Sequence, residues 1–366
     1  MTSVREMQAR HVSPVAKLMR WPAEAPQLDL RQWSILIGQA RNGELLGQLR
    51  SRLAHAHMLD SVPAPARKHL EIAWQLSLRH REAVVWELKH IRNALAHLDL
   101  PVVILKGAAY CLSDNAAARG RVFNDVDIMV PATSIRQVED SLVHAGWIPQ
   151  ITNEYDQRYY RRWMHEIPPL EHKSRGTVID VHHTIVPPTS GIVPDPASLL
   201  AHSIQVDNTE LPGFLVLSPE DMVLHSAAHL FFNEFYKGLR DLHDLHCLLD
   251  SFSGTAGFWA RLLPRADELS LTVPLNDALH YCNMMFGTPI PDEVLHVLPS
   301  RRQSGLSGSP RAWVLDQMFL PDHPSTSSPG VKAARWMAFV RSHWLRMPIH
   351  LLLFHLISKS LRRDTA

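Results

Sequence analysis

Hydrophobic residues recur at three- and four-residue steps through the first part of the chain, which is the spacing of one face of an amphipathic helix. Trp33, Leu36 and Ile37 begin one such series, and residues 64–98 carry a second series with almost no Gly or Pro inside it. Because these helix breakers are rare there, the pattern indicates long uninterrupted helices. We therefore predict an N-terminal helical region over residues 1–100.

After Leu100 the pattern changes to short apolar runs, rich in β-branched residues and separated by turns. Such runs are typical of buried strands. The predicted strands are Val102–Leu105, Val126–Val130, Trp147–Ile148 and Thr177–His183. Helical patterns follow the first strand, as far as Ala118, and the second strand, as far as His144. Strands that alternate with helices predict an α+β domain with a mixed sheet over residues 101–190.

Helical periodicity returns in the last part of the chain. The sequence Ser-Pro-Glu-Asp from Ser218 is a favourable helix start, because Ser caps free N–H groups, Pro suits the first turn and acids complement the helix dipole. This helix is predicted to reach about Phe235. Two later stretches are rich in Ser, Gly and Pro, namely residues 303–310 and 321–330. We predict a C-terminal helical region over residues 191–300, followed by a linker and C-terminal helices over residues 301–366.

Composition places the chain among globular proteins and disfavours several functional classes. Hydrophobic residues make up 46% and charged residues 20%, and the net charge of +1 argues against a wholly basic nucleic-acid binder. The three cysteines are far apart, which disfavours a disulfide framework and a cysteine zinc site. Charges stand where a signal peptide needs an apolar core, and no run reaches the roughly 18 apolar residues of a spanning helix. We therefore expect a cytoplasmic protein.

Two acids stand two residues apart on the predicted second strand, within the segment from Arg121 to Val130. Side chains at positions i and i+2 of a strand share a face, so the carboxylates of Asp125 and Asp127 lie on one side. Adjacent like charges need compensation, and a divalent cation supplies it. Mg²⁺ prefers carboxylate oxygens together with substrate phosphates, so the pair suits phosphoryl or nucleotidyl transfer. The alternative is a solvated strand end.

Three further features support the metal interpretation. Lys106 and Gly107 form a turn between strand and helix, where backbone N–H groups can approach a triphosphate and the ammonium can contact phosphate. Asp180 lies within a buried-looking strand, shares a face with His182, and supplies a third carboxylate that can act as a general base. Arg121 can clamp phosphate or orient a carboxylate. The alternatives are an ordinary turn glycine, a structural acid and a surface arginine.

Three segments, in this order, resemble the uncharacterised nucleotidyltransferase family of the DNA polymerase β-like superfamily. They are residues 103–108 (VILKGA), Arg121 with residues 125–130 (DVDIMV), and residues 179–183 (IDVHH). Members carry a leucine-lysine-glycine turn, an Asp-x-Asp strand and a later acid-x-His strand. The helix start at Ser218, the histidines His225 and His229, and the Arg240-Asp241 pair are also similar to the C-terminal part of the family. The resemblance spans roughly residues 30–250.

The resemblance implies a minimal nucleotidyltransferase palm, a mixed sheet with flanking helices, between N- and C-terminal helical regions. It implies two divalent ions, Mg²⁺ or Mn²⁺, and transfer of a nucleoside monophosphate from a nucleoside triphosphate such as ATP, with release of pyrophosphate. The predicted catalytic metal ligands are Asp125, Asp127 and Asp180, and the predicted nucleotide-binding residues are Lys106, Gly107, Ala108, Arg121 and His182. The Gly107-Ala108 turn departs from the Gly-Ser or Gly-Gly of the wider superfamily.

The acceptor is not implied, and a small molecule, a tRNA end and a protein side chain all stay open. The rival hypothesis is a catalytically degenerate module that binds nucleotide or a partner protein for regulation. Its signature is a missing carboxylate, whereas Asp125, Asp127 and Asp180 are all present.

Four other features carry weaker signals. His225 and His229, one turn apart on a helix, can bind zinc, line the cleft or pack between elements. Arg240, Asp241 and Asp244 indicate an ion-pair set between helices. The aromatic and basic residues 155–163 can face the nucleotide or acceptor, or form a structural outer strand. The stretch from Trp344 to Arg363 can lie on a membrane surface or pack on a partner protein.

Overall fold

The computed structural model describes residues 12–206, 211–297 and 310–346. The helices are α1 Pro14–Arg20, α2 Leu30–Asn42, α3 Leu46–His55, α4 Ala64–Leu95, α5 Lys106–Leu112, α6 Ile135–His144, α7 Glu154–Trp163, α8 Pro196–Ala201, α9 Pro219–Phe232, α10 Gly238–Ser253, α11 Phe258–Glu268, α12 Thr272–Phe286, α13 Asp292–Val297, α14 Pro310–Met318 and α15 Pro329–Arg346. The strands are β1 Val103–Ile104, β2 Asp125–Met129, β3 Trp147–Pro149, β4 Leu170–His172, β5 Val178–His182, β6 Ile204–Gln205 and β7 Leu215–Val216.

These strands form one mixed sheet in the order β3-β4-β5-β2-β1-β7-β6. The pairs β2–β5 and β1–β7 are parallel, whereas β1–β2, β3–β4, β4–β5 and β6–β7 are antiparallel. The predicted α+β class with a mixed sheet between helical regions is therefore confirmed. The domain limits stay a prediction, and the short strands β6 and β7 join the sheet from beyond residue 190.

The long helix α4 lies against the sheet through a buried acid. The side chain of Glu87 is 2% exposed and accepts two hydrogen bonds of 3.0 Å from the guanidinium of Arg175. The hydroxyl of Thr177 donates a third bond of 2.6 Å to the same carboxylate. Because Thr177 directly precedes β5, this cluster fixes α4 at the end where β5 enters the sheet. A buried carboxylate is tolerated here because its oxygens are fully engaged.

Residues 154–163 form helix α7, so the alternative of an outer strand for the aromatic and basic cluster is wrong. The side chain of Asn153 accepts a hydrogen bond of 2.8 Å from the backbone N–H of Tyr155 and caps the helix. Acids in the first turn and arginines in the last turn complement the helix dipole. The aromatic residues Tyr155, Tyr159 and Trp163 recur every four positions, which is a helical spacing that β-propensity obscures.

The C-terminal region is described in part. Of the two predicted linkers, residues 303–309 lie outside the described residues, whereas residues 321–328 connect α14 to α15 and contain a short 3₁₀ turn. Most of the stretch from Trp344 to Arg363 also lies outside the described residues. Within residues 12–206, 211–297 and 310–346, no helix combines the length and the apolar character needed to cross a bilayer.

Helix α9 is anchored at its start by a buried ion pair. The hydroxyl of Ser218 accepts from the N–H of Asp221 at 3.2 Å, which confirms the predicted cap. The carboxylate of Asp221 is fully buried and binds both Nε and Nη2 of Arg265 on α11, at 2.7 and 2.8 Å. This two-bond pairing joins the start of α9 to α11.

We expect Arg265→Met to lower the free energy of unfolding by about 3–5 kcal/mol, because it leaves the carboxylate of Asp221 buried without a cation. Urea denaturation measures this change. The matched control is Arg81→Met, because Arg81 pairs with Asp114 at the surface with side chains 39% and 74% exposed. The control substitution is expected to lower the free energy of unfolding by less than about 1 kcal/mol. Equal losses in the two variants would contradict the structural role of the buried pair.

Candidate functional site

The two strands that carry the predicted acids lie side by side in the middle of the sheet. Strands β2 and β5 are parallel, and their register pairs Asp127 with Asp180 and Asp125 with Val178. Paired residues of neighbouring strands project to the same face, and so do residues two positions apart. The side chains of Asp125, Asp127 and Asp180 therefore share one face. The structure thus brings together the three carboxylates that the sequence predicts as metal ligands.

Lys106 reaches this face from the end of β1. The backbone N–H of Leu105 donates to the carbonyl of Asp127 at 2.9 Å, which places Lys106 one residue beyond Asp127 on the neighbouring strand. Its Nζ donates to Oδ1 of Asp127 at 2.6 Å. Lys106 has φ +46, a left-handed conformation that costs a residue with a side chain about 1 kcal/mol or more. Such a conformation in a non-glycine residue is frequent at functional sites.

His182 contacts the same carboxylate of Asp127. Its ring is fully buried, and Nε2 lies 3.0 Å from Oδ1 of Asp127 and 3.4 Å from Oε2 of Glu166. Since carboxylate oxygens only accept, Nε2 carries a proton in this arrangement. His182 is absent from the lining of the cleft described below. Its contact with a nucleotide therefore stays a prediction, while its contact with Asp127 is direct.

The carboxylates have opposite electrostatic environments. Burial opposes ionisation of Asp127, but the Lys106 ammonium and the hydrogen bond from His182 hold the pKa of Asp127 below its usual range. The charge of Asp127 and burial raise the pKa of Asp125. Burial, followed by the charges of Glu166 and Asp127, raises the pKa of Asp180 well above its usual value. The negative charge of the acids on this face therefore exceeds the positive charge that Lys106 supplies.

This surplus negative charge favours binding of a divalent cation. Oδ1 of Asp180 is buried and has no hydrogen-bond partner among the described residues. Hard oxygen donors with incomplete compensation suit Mg²⁺ or Mn²⁺. The oxygens of the three acids do not all lie within 4.8 Å of one another, and the ammonium of Lys106 lies against Asp127. Carboxylates are the donor type that these ions prefer, and the three side chains lie on one face of the sheet.

Glu166 is a fourth acid of the site, and sequence analysis missed it. The residue forms an isolated antiparallel bridge with His182, so the two side chains are neighbours. Its carboxylate also raises the pKa of Asp180 and of Lys106. The surrounding sequence His165-Glu166-Ile-Pro-Pro has neither the periodicity of a strand nor a motif that predicts this pairing.

A cleft of about 370 Å³ opens beside Asp125 and Asp127. Its lining residues are Lys106, Gly107, Arg121, Val122, Asn124, Asp125, Asp127, His229, Leu230, Asn233, Glu234, Phe235, Tyr236, Lys237, Arg240 and Asp241. Four of the lining residues are basic and come from three separate parts of the chain, namely Lys106, Arg121, Lys237 and Arg240. Lys237 and Tyr236, which sequence analysis missed, come from the turn between α9 and α10.

The turn that carries Tyr236 also borders a second cavity, of about 470 Å³, on its other side. Tyr236 is 88% exposed, and Nζ of Lys237 lies 4.9 Å from the centroid of its ring. The preceding residue, Phe235, has φ +56 and packs its ring against Phe231 and Phe319. The buried ring of Phe235 thus anchors a turn whose next side chain projects between the two cavities.

Arg121 is held in the cleft by contacts on both sides. Its Nε donates to Asp244 of α10 at 2.8 Å, and Asp244 also accepts from Nε2 of Gln48 of α3 at 2.8 Å. The guanidinium lies 5.4 Å from the ring centroid of Phe123 and crosses the backbone at Gly107. Arg121 is therefore a fixed cleft residue and not a solvated surface arginine. Gly107 provides room for this guanidinium, and its predicted approach to a triphosphate stays a prediction.

Arg240 belongs to the predicted ion-pair set and also lines the cleft. It bonds the carboxylate of Asp241 through Nε and Nη2 at 3.0 and 2.9 Å, and its Nη1 pairs with Glu44. Glu44 additionally pairs with Lys237 at 3.2 Å. Arg240, Asp241 and Asp244 do form ion pairs, but their partners outside α10 are Glu44 and Arg121, which lie in connections and not in helices. The contacts of Glu44 hold two cations at the cleft wall.

The remaining predicted residues lie close to the acids. Ala108 is buried in the first turn of α5. His229 lines the cleft, whereas His225 is buried beneath it, and burial followed by the charge of Lys106 lowers the pKa of both rings well below the usual range. Among the described residues, neither histidine belongs to a group of three ligand atoms within 4.8 Å. The cleft-lining interpretation therefore holds for His229 and the packing interpretation for His225.

Comparisons with known proteins give one family. A family model described as "Uncharacterised nucleotidyltransferase" matches residues 29–287. The solved structure of an antigenic nucleotidyltransferase-like protein from Paracoccidioides brasiliensis is similar at 14% identity, over 57% of this chain and 96% of that chain, with a TM-score of 0.28. No curated protein matches the chain.

We expect Gly107→Ala to lower the free energy of unfolding by about 1–3 kcal/mol through overpacking. An added Cβ would overlap Nη1 of Arg121 and lie 2.9 Å from Cδ1 of Phe123. The control is Gly254→Ala, where no atom lies within 4 Å of the added Cβ. We expect it to change the free energy of unfolding by no more than about 0.5 kcal/mol. Urea denaturation measures both. A Gly107 variant as stable as the control would show that the guanidinium does not need this space.

Proposed function

The chain belongs to the family of uncharacterised nucleotidyltransferases, and from this premise we propose that it is a metal-dependent enzyme. It transfers a nucleoside monophosphate from a nucleoside triphosphate to an acceptor and releases pyrophosphate. The observation that carries the proposal is the placement of Asp125, Asp127 and Asp180 on one face, beside a cleft that four basic side chains line.

Asp125, Asp127 and Asp180 are the residues that would hold divalent cations, Mg²⁺ or Mn²⁺. When bound, such ions polarise the transferred phosphoryl group and neutralise charge that develops on its oxygens. Lys106 and His182 contribute by fixing one oxygen of Asp127 before the nucleotide arrives. Preorganised carboxylates avoid a cost of reorganisation during the reaction.

The basic residues of the cleft are the proposed binding groups for the triphosphate. Arg121 is held by Asp244, and Arg240 and Lys237 are held by Glu44, so these cations already stand at the cleft wall. Ordering long side chains on binding costs free energy, and the ion pairs reduce that cost. Lys106 lies closest to the acids and so would face the phosphate that is nearest to the reacting centre.

Tyr236 is the proposed stacking residue for the base or the acceptor. An exposed ring between two cavities, with a lysine beside it, is suited to stack on a nucleobase. The second cavity lies across this turn from the acids and is the place we assign to the acceptor. Small molecule, tRNA end and protein side chain remain the three classes to be tested there.

We expect Asp125→Asn to reduce label transfer from an α-labelled nucleoside triphosphate in a cell lysate by at least ~100-fold, because metal ligands supply several kcal/mol of transition-state stabilisation. The pKa of Asp125 is raised in the fold, so its ionised form opposes folding at neutral pH. Its neutralisation therefore leaves the free energy of unfolding unchanged or higher. Asp127→Asn is expected to lose transfer equally.

The control for this experiment is Asp99→Asn, because Asp99 is an exposed acid in the connection between α4 and β1. It should retain full transfer. Full activity of folded Asp125→Asn and Asp127→Asn would exclude the carboxylate site. Binding of nucleotide by the wild type without transfer to any lysate component would favour the degenerate regulatory module.

We expect Tyr236→Ala to weaken binding of nucleoside triphosphates by roughly 5- to 150-fold, the equivalent of losing about 1–3 kcal/mol of stacking. Titration calorimetry with ATP, GTP, CTP and UTP in the presence of Mg²⁺ measures the change. Tyr236→Phe keeps the ring and serves as the control. Unchanged affinity of Tyr236→Ala for all four nucleotides would remove Tyr236 from the base site.

A further inference from the structure

Two histidines and one glutamate converge beside the three proposed Mg²⁺ ligands, and none of the three is itself one of those ligands. Ligand atoms of His165, Glu166 and His182 all lie within 4.8 Å of one another, and no other group of three such residues does so among the described residues. From this convergence we propose that His165, Glu166 and His182 form a binding site for a transition-metal ion of the zinc type.

The two distances from the histidine nitrogens to Glu166 are close to those between ligands of one ion. Nε2 of His182 and Nε2 of His165 lie 3.4 and 3.6 Å from the same oxygen, Oε2 of Glu166. Two ligands of a tetrahedral zinc ion, each about 2.0–2.1 Å from the metal, stand roughly 3.3 Å apart. The three side chains therefore need only small rotations to accept an ion.

The backbone explains why these residues meet. The N–H of Ile167 donates to the carbonyl of Val181 at 3.0 Å, and the N–H of His183 donates to the carbonyl of His165 at 2.9 Å. These bonds extend the β4–β5 ladder past two prolines and set Glu166 opposite His182. His165 lies in the bend that precedes this bridge. A ligand set held by backbone pairing is preorganised for an ion.

The donor types select the class of metal. Two imidazoles and one carboxylate suit Zn²⁺ and related ions, whereas Mg²⁺ prefers oxygen donors alone. Three protein ligands leave a fourth position, and Oδ1 of Asp127 lies 3.0 Å from Nε2 of His182 at that side. Metal binding through Nε2 requires the tautomer of His182 that carries its proton on Nδ1, so the proton moves from Nε2 to Nδ1 and the hydrogen bond to Asp127 is replaced by a metal bond.

The site is accessible from one side. The side chains of His165 and Glu166 are 13% and 17% exposed, whereas His182 is fully buried. An ion can enter past the first two residues and reach the third. A bound ion would fasten the 165–167 segment to β5 and neutralise Glu166, which is the acid opposite His182 on the face that carries Asp180.

The test is metal binding by the purified full chain after removal of metals with a chelator. Titration with Co²⁺ is expected to give the intense visible bands of a four-coordinate ion with nitrogen ligands, and Zn²⁺ is expected to abolish them at one equivalent. Glu166→Gln and His165→Gln should each weaken Zn²⁺ binding by at least ~100-fold, since even the loss of an outer partner costs 10–100-fold. Competition with a chromophoric chelator measures this affinity.

Two controls separate this site from the nucleotidyl-transfer site. His296→Ala removes an exposed histidine of α13 and should leave the Co²⁺ spectrum unchanged. Asp125→Asn should keep the spectrum while losing transfer, so the two proposals fail independently. A wild-type spectrum typical of six oxygen ligands, or equal Zn²⁺ affinity in wild type and folded Glu166→Gln, would overturn the proposal. The wild-type Co²⁺ spectrum tests the proposed ligand set even if a variant does not fold.

Discussion

The parallel pairing of β2 with β5 is the constraint on which the site depends. Its register sets Asp127 beside Asp180, and the antiparallel partner β1 delivers Lys106 to the same carboxylate. A shift of either strand by one residue would turn its acids to the opposite face of the sheet. The apolar residues Val126 and Ile179, which pair across the two strands and precede Asp127 and Asp180, are buried and hold this register by packing.

The cleft is lined by residues of α5, α9 and α10 together with the segment that leads into β2. Arg121 from the β2 approach, Asp244 from α10 and Gln48 from α3 form one connected set, and Arg240 with Glu44 forms a second. Each set joins the N-terminal region to α10, and the first set also includes Arg121 of the central segment. The basic side chains at the cleft are therefore positioned by acids, and two of those acids, Asp127 and Asp241, line the cleft themselves. This arrangement keeps cations at the wall although the net charge of the chain is only +1.

Much of this site could be predicted from local sequence patterns. The alternation that places Asp125 and Asp127 on one face, and the cap at Ser218, depend on neighbouring residues and are confirmed by the structure. Glu166 escaped prediction because its partner, His182, is distant in sequence and the pairing is a single bridge beyond two prolines. The helical spacing of α7 was hard to recognise because its aromatic residues are also common in strands. The reason for glycine at position 107 depends on Arg121, a tertiary contact that no local pattern reveals.

The central claim is that this face supports transfer of a nucleotidyl group and not of a terminal phosphoryl group. The most direct measurement compares nucleoside triphosphates labelled at the α- and γ-phosphates, incubated with the protein and Mg²⁺ in a lysate of the source cell. The account predicts that α-label becomes attached to an acceptor while γ-label leaves as pyrophosphate. Attachment of γ-label to the acceptor, or release of pyrophosphate that is indifferent to loss of Asp125, would contradict it.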